Sequence, residues 1–293
     1  MSWRPDSPID LPGGRLGCGR HGLVICGQCC VDYSFMDEDE GNSVDESMKL
    51  DDEDEQLLND PQVRRRGSGQ ATLGEKPLLR GFGAVMPKLF SASSSDTPQS
   101  LFPARVARKA IPNVTRFIHR WEKETFLVYT DGACLDNGQV NAKAGWACVF
   151  KPEDGGVTGR LENHGPFGDA APQTSNRAEL RAVISALRFR SWAGEGFSTL
   201  VIATDSEYVV KGATEWVSGW IRKGWKTAKG ADVKNRDLWE AFLGEVEQWD
   251  DRRLKIRLWK IPREMNTEAD RLAKEAAQGN DINGFQDIKG VLV

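Results

Sequence analysis

From about residue 124 onward, hydrophobic and polar positions fall into regular patterns. Phe126-Leu-Val-Tyr-Thr130 is an apolar, β-branched run closing on Asp131-Gly132, which predicts a strand over 125–130. Gly145 to Phe150 predicts a second strand and Gly156 to Asn163 a third, with Glu153-Asp-Gly-Gly156 marking a hairpin between them. Leu180, Val183, Ile184 and Leu187 stand at i, i+3, i+4 and i+7. They form one apolar stripe of a helix over 175–192, which Thr174 or Ser175 can cap. Thr199 to Ala203 is apolar throughout, as a central strand buried on both faces would be, and it runs out at Asp205. Short helices over 206–213 and 214–222, a basic loop, a helix over 235–249, an alternating strand over 254–259 and a helix over 266–277 complete the pattern. The order β-β-β-α-β-α-α-α-β-α predicts an α/β fold, a five-stranded mixed sheet with helices on both faces.

The rest of the chain lacks such periodicity and divides by composition. Residues 1–35 read as an N-terminal arm, 36–122 as a linker, 123–279 as the folded domain and 280–293 as a tail. The linker carries the acidic blocks Asp37-Glu-Asp-Glu40 and Asp51-Asp-Glu-Asp-Glu55, then Arg64-Arg-Arg66, a weak localisation signal, and a Ser/Pro-rich stretch. Residues 101–122 are basic and apolar, and either pack on the domain or stay mobile. Residues 1–60 hold 15 Asp/Glu against four Lys/Arg, a charge of −11, so the remainder of a chain of net charge −4 is +7. An acidic arm before a basic body lets the body bind a polyanion. No stretch of 18 apolar residues predicts a membrane span and no secretory signal is visible. The expectation is therefore an intracellular protein, nuclear or cytoplasmic, in a reducing compartment without a disulfide framework.

Four of the six cysteines crowd into residues 18–30. The spacing Cys18-x2-His21-x4-Cys26-x2-Cys29 sets two close ligand pairs among glycines, which fits a tetrahedral zinc knuckle. A knuckle so small folds only with its metal. Cys134 and Cys148 sit in apolar runs and read as ordinary buried cysteines.

Four acidic residues stand where structure alone has no call for acid. Asp131 ends the first strand and Asp205 the central one, so adjacent strand ends would set them side by side. Glu179 lies one turn inside a helix beside its apolar stripe. Asp270 lies one turn inside the last helix, where Ala273 and Ala277 permit close approach. Taken singly each has an ordinary reading, as a turn residue, a helix cap or an exposed helix charge. As a set of hard oxygen ligands without His or Cys they favour Mg²⁺, with Mn²⁺ possible, and two ions suit in-line displacement at phosphorus.

Tyr129-Thr-Asp-Gly-Ala-Cys134, Thr174-Ser-Asn-Arg-Ala-Glu-Leu180, Ala203-Thr-Asp-Ser-Glu-Tyr208 and Glu268-Ala-Asp-Arg-Leu-Ala273 resemble the motifs of the type 1 ribonuclease H family, over about 124–279. The resemblance implies a ribonuclease H-like fold. It also implies a two-metal endonuclease that hydrolyses the RNA strand of RNA–DNA hybrids, independent of sequence, to 5′-phosphate and 3′-hydroxyl ends. Asp131, Glu179, Asp205 and Asp270 would be its metal-binding carboxylates. Trp216 to Thr227 and Val233 to Trp239 are similar to the family's basic protrusion, and residues 222–236 hold six Lys/Arg against Asp232 alone. Cations neutralise phosphates and aromatic planes pack on sugars or bases, so Trp216, Trp220 and Trp225, with Lys223, Lys226, Thr227, Lys234 and Asn235, are expected on the nucleic acid. Part of this tryptophan set must also be core. Asn137, Thr174, Asn176 and Arg177 correspond to the family's contacts to backbone and 2′-hydroxyls. Ser175 stands where many members have Asn, so one minor-groove contact is expected to be lost. Many members also carry a His in the loop before the last carboxylate, to help release product. Here Lys260 to Ala269 has none, the domain's only His is His164, and Arg263 or Glu264 is the candidate stand-in, with slower turnover expected. The arm looks like that of fungal ribonuclease H-like proteins. A monomer is expected, with an arm partner that the sequence does not name. The competing reading is a slow or inactive hybrid-binding module recruited through the knuckle, and four clustered carboxylates facing a polyanion argue against it.

Overall fold

The computed structural model describes residues 8–12, 14–29, 31–34, 77–153 and 155–290. The acidic blocks, the Arg64–Arg66 triplet and Cys30 lie outside them. The arm forms two small antiparallel ladders: β1 (Ile9–Asp10) on β2 (Leu16–Gly17), and β3 (Ile25–Cys26) on β4 (Val31–Asp32). The body follows as β5 (Lys88–Leu89), α1 (Pro98–Leu101), β6 (Ala104–Ala107), β7 (Val114–Ile118), β8 (Thr125–Leu135), β9 (Lys143–Val149) and β10 (Gly156–Arg160). Then come α2 (Ser175–Phe189), β11 (Thr199–Thr204), α3 (Glu207–Lys211), α4 (Val217–Arg222), α5 (Arg236–Asp251), β12 (Lys255–Lys260) and α6 (Thr267–Ala277).

The five expected strands are all present, in the order β10-β9-β8-β11-β12, antiparallel from β10 to β8 and parallel from β8 to β12. The sheet is wider than expected, with eight strands, because β5 pairs with β12, β7 with β8, and β6 with β7. The linker expected to reach residue 122 therefore gives way to ordered structure from residue 77. Its missing periodicity has a physical reason: β5 is two residues long, and Leu101 and Phe102 are buried from a short helix and a turn. Phe90, Phe102 and Trp259 form an aromatic cluster that holds this segment to the sheet. The tail also departs from expectation. Asp281 pairs with Arg160 at 3.1 Å, Asp287 pairs with Arg188, and the Arg181 guanidinium lies 4.1 Å from the Phe285 ring centroid.

α2 is the hub of the packing. Its sequence shows one apolar stripe, yet 14 of its 15 residues are buried, and the remaining one, Glu179, is half-buried with its carboxylate turned into the site. Burying charge requires a partner. Each arginine of the helix has one: Arg177 with Asp237, Arg181 with Glu162, and Arg188 with Glu245 and Asp287. The protrusion, α3 and α4 joined by a π-helical turn at Gly212–Trp216, packs on α5 through Tyr208, Trp216, Trp220 and Trp239.

Candidate active site

Strand register brings the first two carboxylates together. β8 and β11 run parallel with Ala203 opposite Tyr129, so Asp131 and Asp205 stand at the same level, two residues further on. Asp131 does not end its strand, as expected, but lies inside it, opposite Ala147, because Gly132 to Leu135 continue the ladder with β9. Gly132 permits the third carboxylate to approach. A Cβ there would stand 2.0 Å from the Glu179 backbone nitrogen, so only glycine lets α2 lie against the strand at this point. α6 brings Asp270, seated on the sheet through Ala273, which packs with Ala133 and Ala147. The small-residue contact expected for this helix is present.

Each carboxylate is held by the chain itself. The Gly132 N–H donates to Asp131 Oδ1 at 2.7 Å. Asn266 Nδ2 donates to Asp205 Oδ1 at 2.7 Å and to the Thr130 carbonyl at 3.0 Å. The Ser206 hydroxyl donates to Glu179 Oε2. Arg263 Nη2 and Lys274 Nζ reach the two oxygens of Asp270 at 2.7 and 2.6 Å. Asn266 and Ser206, expected as the first residues of their helices, occupy the N-cap positions. Ser206 does cap α3, through the Val209 N–H at 3.2 Å, but Asn266 makes no side-chain cap bond and spends its amide on Asp205.

Burial and like charge shift the acids upward. Asp131 is 6% exposed, and burial first, then Asp205 and Asp270, raises its carboxyl well above the ordinary range. Burial pushes Glu179 up to about 8, with the Ser206 hydrogen bond opposing and Asp205 adding to it. Burial works against the charge on Arg263, but Asp205, Asp270 and Asp131 outweigh it and hold the guanidinium above its ordinary value. The residues fit divalent cations: four hard oxygen donors that repel one another, with an arginine and a lysine supplying positive charge at Asp270.

The second cluster is tighter. Cys18, His21, Cys26 and Cys29 bring their ligand atoms within 4.8 Å of one another, the only such set of three or more among the described residues. His21 Nδ1 stands 3.8, 3.4 and 3.3 Å from the sulfurs of Cys18, Cys26 and Cys29. A tetrahedral zinc with bonds of about 2.3 and 2.1 Å to S and N would place them about 3.6 Å apart. Backbone N–H groups of His21 and Cys29 point at the Cys18 and Cys26 sulfurs at 3.3 and 3.4 Å.

The expected substrate contacts divide. Lys223, Lys226 and Lys234 are exposed on the protrusion, Lys226 in a surface pair with Asp232. Trp216, Trp220 and Trp225 are 8, 5 and 9% exposed, so they are core of the protrusion and lack free faces for stacking on bases. The i, i+4 spacing of Trp216 and Trp220 carried that possibility in the sequence. Thr227 is buried and accepts from the Ala231 N–H at 3.2 Å, closing the loop. Arg177 faces inward to Asp237 and to Asn235 Oδ1 at 3.4 Å, so it ties the protrusion to α2. Asn137 Nδ2 donates to Ser175 Oγ at 3.0 Å, and Thr174 caps α2 through the Arg177 N–H at 3.3 Å. Thr174, Asn176 and Asn235 line one groove with Lys234. His164 Nδ1 lies 3.0 Å from the Asn283 carbonyl, committed to the C-terminal segment.

Residues 122–278 match the family model described as RNase H. A Ribonuclease H of Cyanothece sp. is 48% identical over 119 residues, which cover 41% of this chain and 69% of that protein. A Ribonuclease HI of Xylella fastidiosa is 44% identical over 123 residues, 41% and 71% of the two chains. The solved structure of LC9-RNase H1, a type 1 RNase H with the type 2 active-site motif, is 30% identical, with TM-score 0.36, over 52% of this chain and 72% of that one. With the family model spanning more than half of the sequence, the chain belongs to the RNase H family.

Proposed function

We propose that hydrolysis of the RNA strand of RNA–DNA hybrids, the activity of this family, is carried out here by Asp131, Glu179, Asp205 and Asp270, with two divalent cations bound among them. The observation that carries this assignment is that the four acids, from β8, α2, the end of β11 and α6, lie within reach of one another's charge: Asp205, Asp270 and Glu179 all push Asp131 up and Asp205 pushes Glu179 up, although no three of their oxygens crowd within 4.8 Å as the Cys/His ligands do. When bound, Mg²⁺ or Mn²⁺ supplies Lewis acidity, generating the nucleophile from water and taking up charge on the leaving oxygen. The protein's part is positioning. Asn266 fixes Asp205 through one oxygen, Ser206 fixes Glu179, and the rigid β8–β11 pair sets the spacing of Asp131 and Asp205. Lys223, Lys226 and Lys234 offer charge to the phosphates, and Asn137, Thr174, Asn176 and Asn235 offer short polar groups to backbone and 2′-hydroxyls.

The Cys18-His21-Cys26-Cys29 set is proposed as a structural zinc knuckle, of the kind fungal ribonuclease H-like proteins carry. Among the described residues no helix is long and apolar enough to cross a membrane. We propose an intracellular monomer. The test is incubation with labelled hybrid, duplex DNA and duplex RNA, with Mg²⁺ and with chelator. Mg²⁺-dependent cleavage confined to the RNA of the hybrid is expected, and its absence overturns the reading.

A further inference from the structure

The arm, expected as a module apart, lies against the rim of the carboxylate site. The Cys29 carbonyl accepts from Arg263 Nη1 at 3.1 Å, while Nη2 of the same guanidinium holds Asp270. Gly27 presses on the loop after β8: a Cβ there would stand 2.9 Å from the Asn137 backbone nitrogen and 3.2 Å from Asp136 Cα. β4 packs on α2, the helix that carries Glu179. Tyr33 is half-buried against the hydrophobic core, and its hydroxyl is pushed up to about 12 by burial and then by the charge of Glu179.

Two cavities flank this contact. One of about 530 Å³ has Ile25, Asp32 and Ser34 on the arm side and Asn137, Asn176 and Lys234 on the body side. The other, of about 370 Å³, lies between Arg20, Tyr33, Arg263 and Asp270. Two of the residues proposed to touch the hybrid backbone face the arm across the first cavity: Asn137, which Gly27 abuts, and Asn176, 6 and 8% exposed. The arm also sets a carboxylate, Asp32, into a groove suited to phosphates.

We infer that the hairpin bearing the Cys/His cluster is an inhibitory strap, seated in the groove of the hybrid and displaced when the hybrid enters. This rests on the reading of that groove as the hybrid site. In the sequence 42 residues, 35–76, separate the strap from the body. A strap closed about nine-tenths of the time weakens apparent hybrid affinity about tenfold.

The test uses the full zinc-loaded chain without Mg²⁺, which removes cleavage from the measurement. Hydrogen exchange is followed with and without a hybrid duplex, and fluorescence anisotropy compares the parent with Gly27→Val, whose side chain would collide with Asn137. Hybrid binding is expected to raise exchange across residues 16–34. Gly27→Val, at unchanged zinc content, is expected to bind the hybrid about tenfold tighter. If the variant loses zinc, exchange in the parent decides alone. A bound hybrid that lowers exchange at 16–34, or leaves it unchanged, overturns the strap but not the groove. Failure of both proteins to bind the hybrid overturns the groove reading beneath it.

Discussion

Two clusters of metal-type side chains meet at Arg263 and are built on opposite plans. The Cys/His set draws four soft ligands from residues 18–29, and its turns close on themselves, so the ligand atoms already lie within 4.8 Å of one another. The carboxylate set draws four hard ligands from Asp131 to Asp270, on four separate elements, and its members are held apart by their own partners, Asn266, Ser206 and Arg263. A closed four-ligand shell suits a metal that folds a segment. An open set with strained protonation suits ions that must also meet water and substrate. The difference teaches how each site is stabilised: the first by local backbone, the second by a sheet register and two helix contacts that exist only once the domain has folded.

The strongest way to break the comparison is Asp131→Asn. It should lower hybrid cleavage by at least about a thousandfold, because the Lewis acidity held there supplies several kcal/mol of the barrier reduction. It should also raise the melting temperature of the metal-free protein, since a buried like charge is removed, and shrink the further rise given by Mg²⁺. Cleavage assays paired with melts with and without Mg²⁺ read both effects. A variant that cleaves like the parent removes Asp131 from the site.

Cys26→Ser addresses the other cluster. Zinc per chain, measured by metal analysis, should fall from one to well below one, and residues 16–34 should become open to protease. The melt of the body should fall only a little, because the body draws from the arm one hydrogen bond, Arg263 to the Cys29 carbonyl, and the packing of Tyr33, while its own core is closed without it. A body that melts with the knuckle would show that the two clusters are one cooperative unit.

Asn266→Ala sits between these in size. It leaves Asp205 without its amide donor, and loss of such a supporting bond costs about 10- to 100-fold in metal affinity or activity. Mg²⁺ titration of the melting temperature measures it apart from turnover. The residue also marks the limit of what the sequence discloses. The acids were legible because each interrupts a strand or helix pattern that has no use for it. Asn266 was not, since Asn at the start of a helix interrupts no pattern. The wider sheet was illegible for a related reason: β5 to β7 are short, and their burial comes from Phe90, Phe102 and Ile118 meeting Trp259 and β8, contacts without a period. The tryptophans of the protrusion were legible as a group, but sequence cannot tell an aromatic face turned to solvent from one turned to Trp239.

The smallest effect is also the sharpest separator. Glu179 titrates near 4.5 when unfolded and is pushed up to about 8 in the fold by burial, with Asp205 adding to the rise. Asp131 moves in the same direction. The folded chain therefore holds these protons more tightly than the unfolded one, and the metal-free protein draws stability from that difference. The contribution is full below about pH 4.5 and is lost as the pH rises through about 8. Melting temperature without Mg²⁺ should fall across that window. Glu179→Gln, which carries no proton to lose, should flatten the fall. Mg²⁺ competes with the same protons, so the rise it gives should be larger at pH 8 than at pH 6. The decline should survive in Cys26→Ser, slightly reduced, because Asp32 of the arm adds only the last of the pushes on Glu179. A decline that vanishes with the knuckle would place its origin in the arm and not at Glu179.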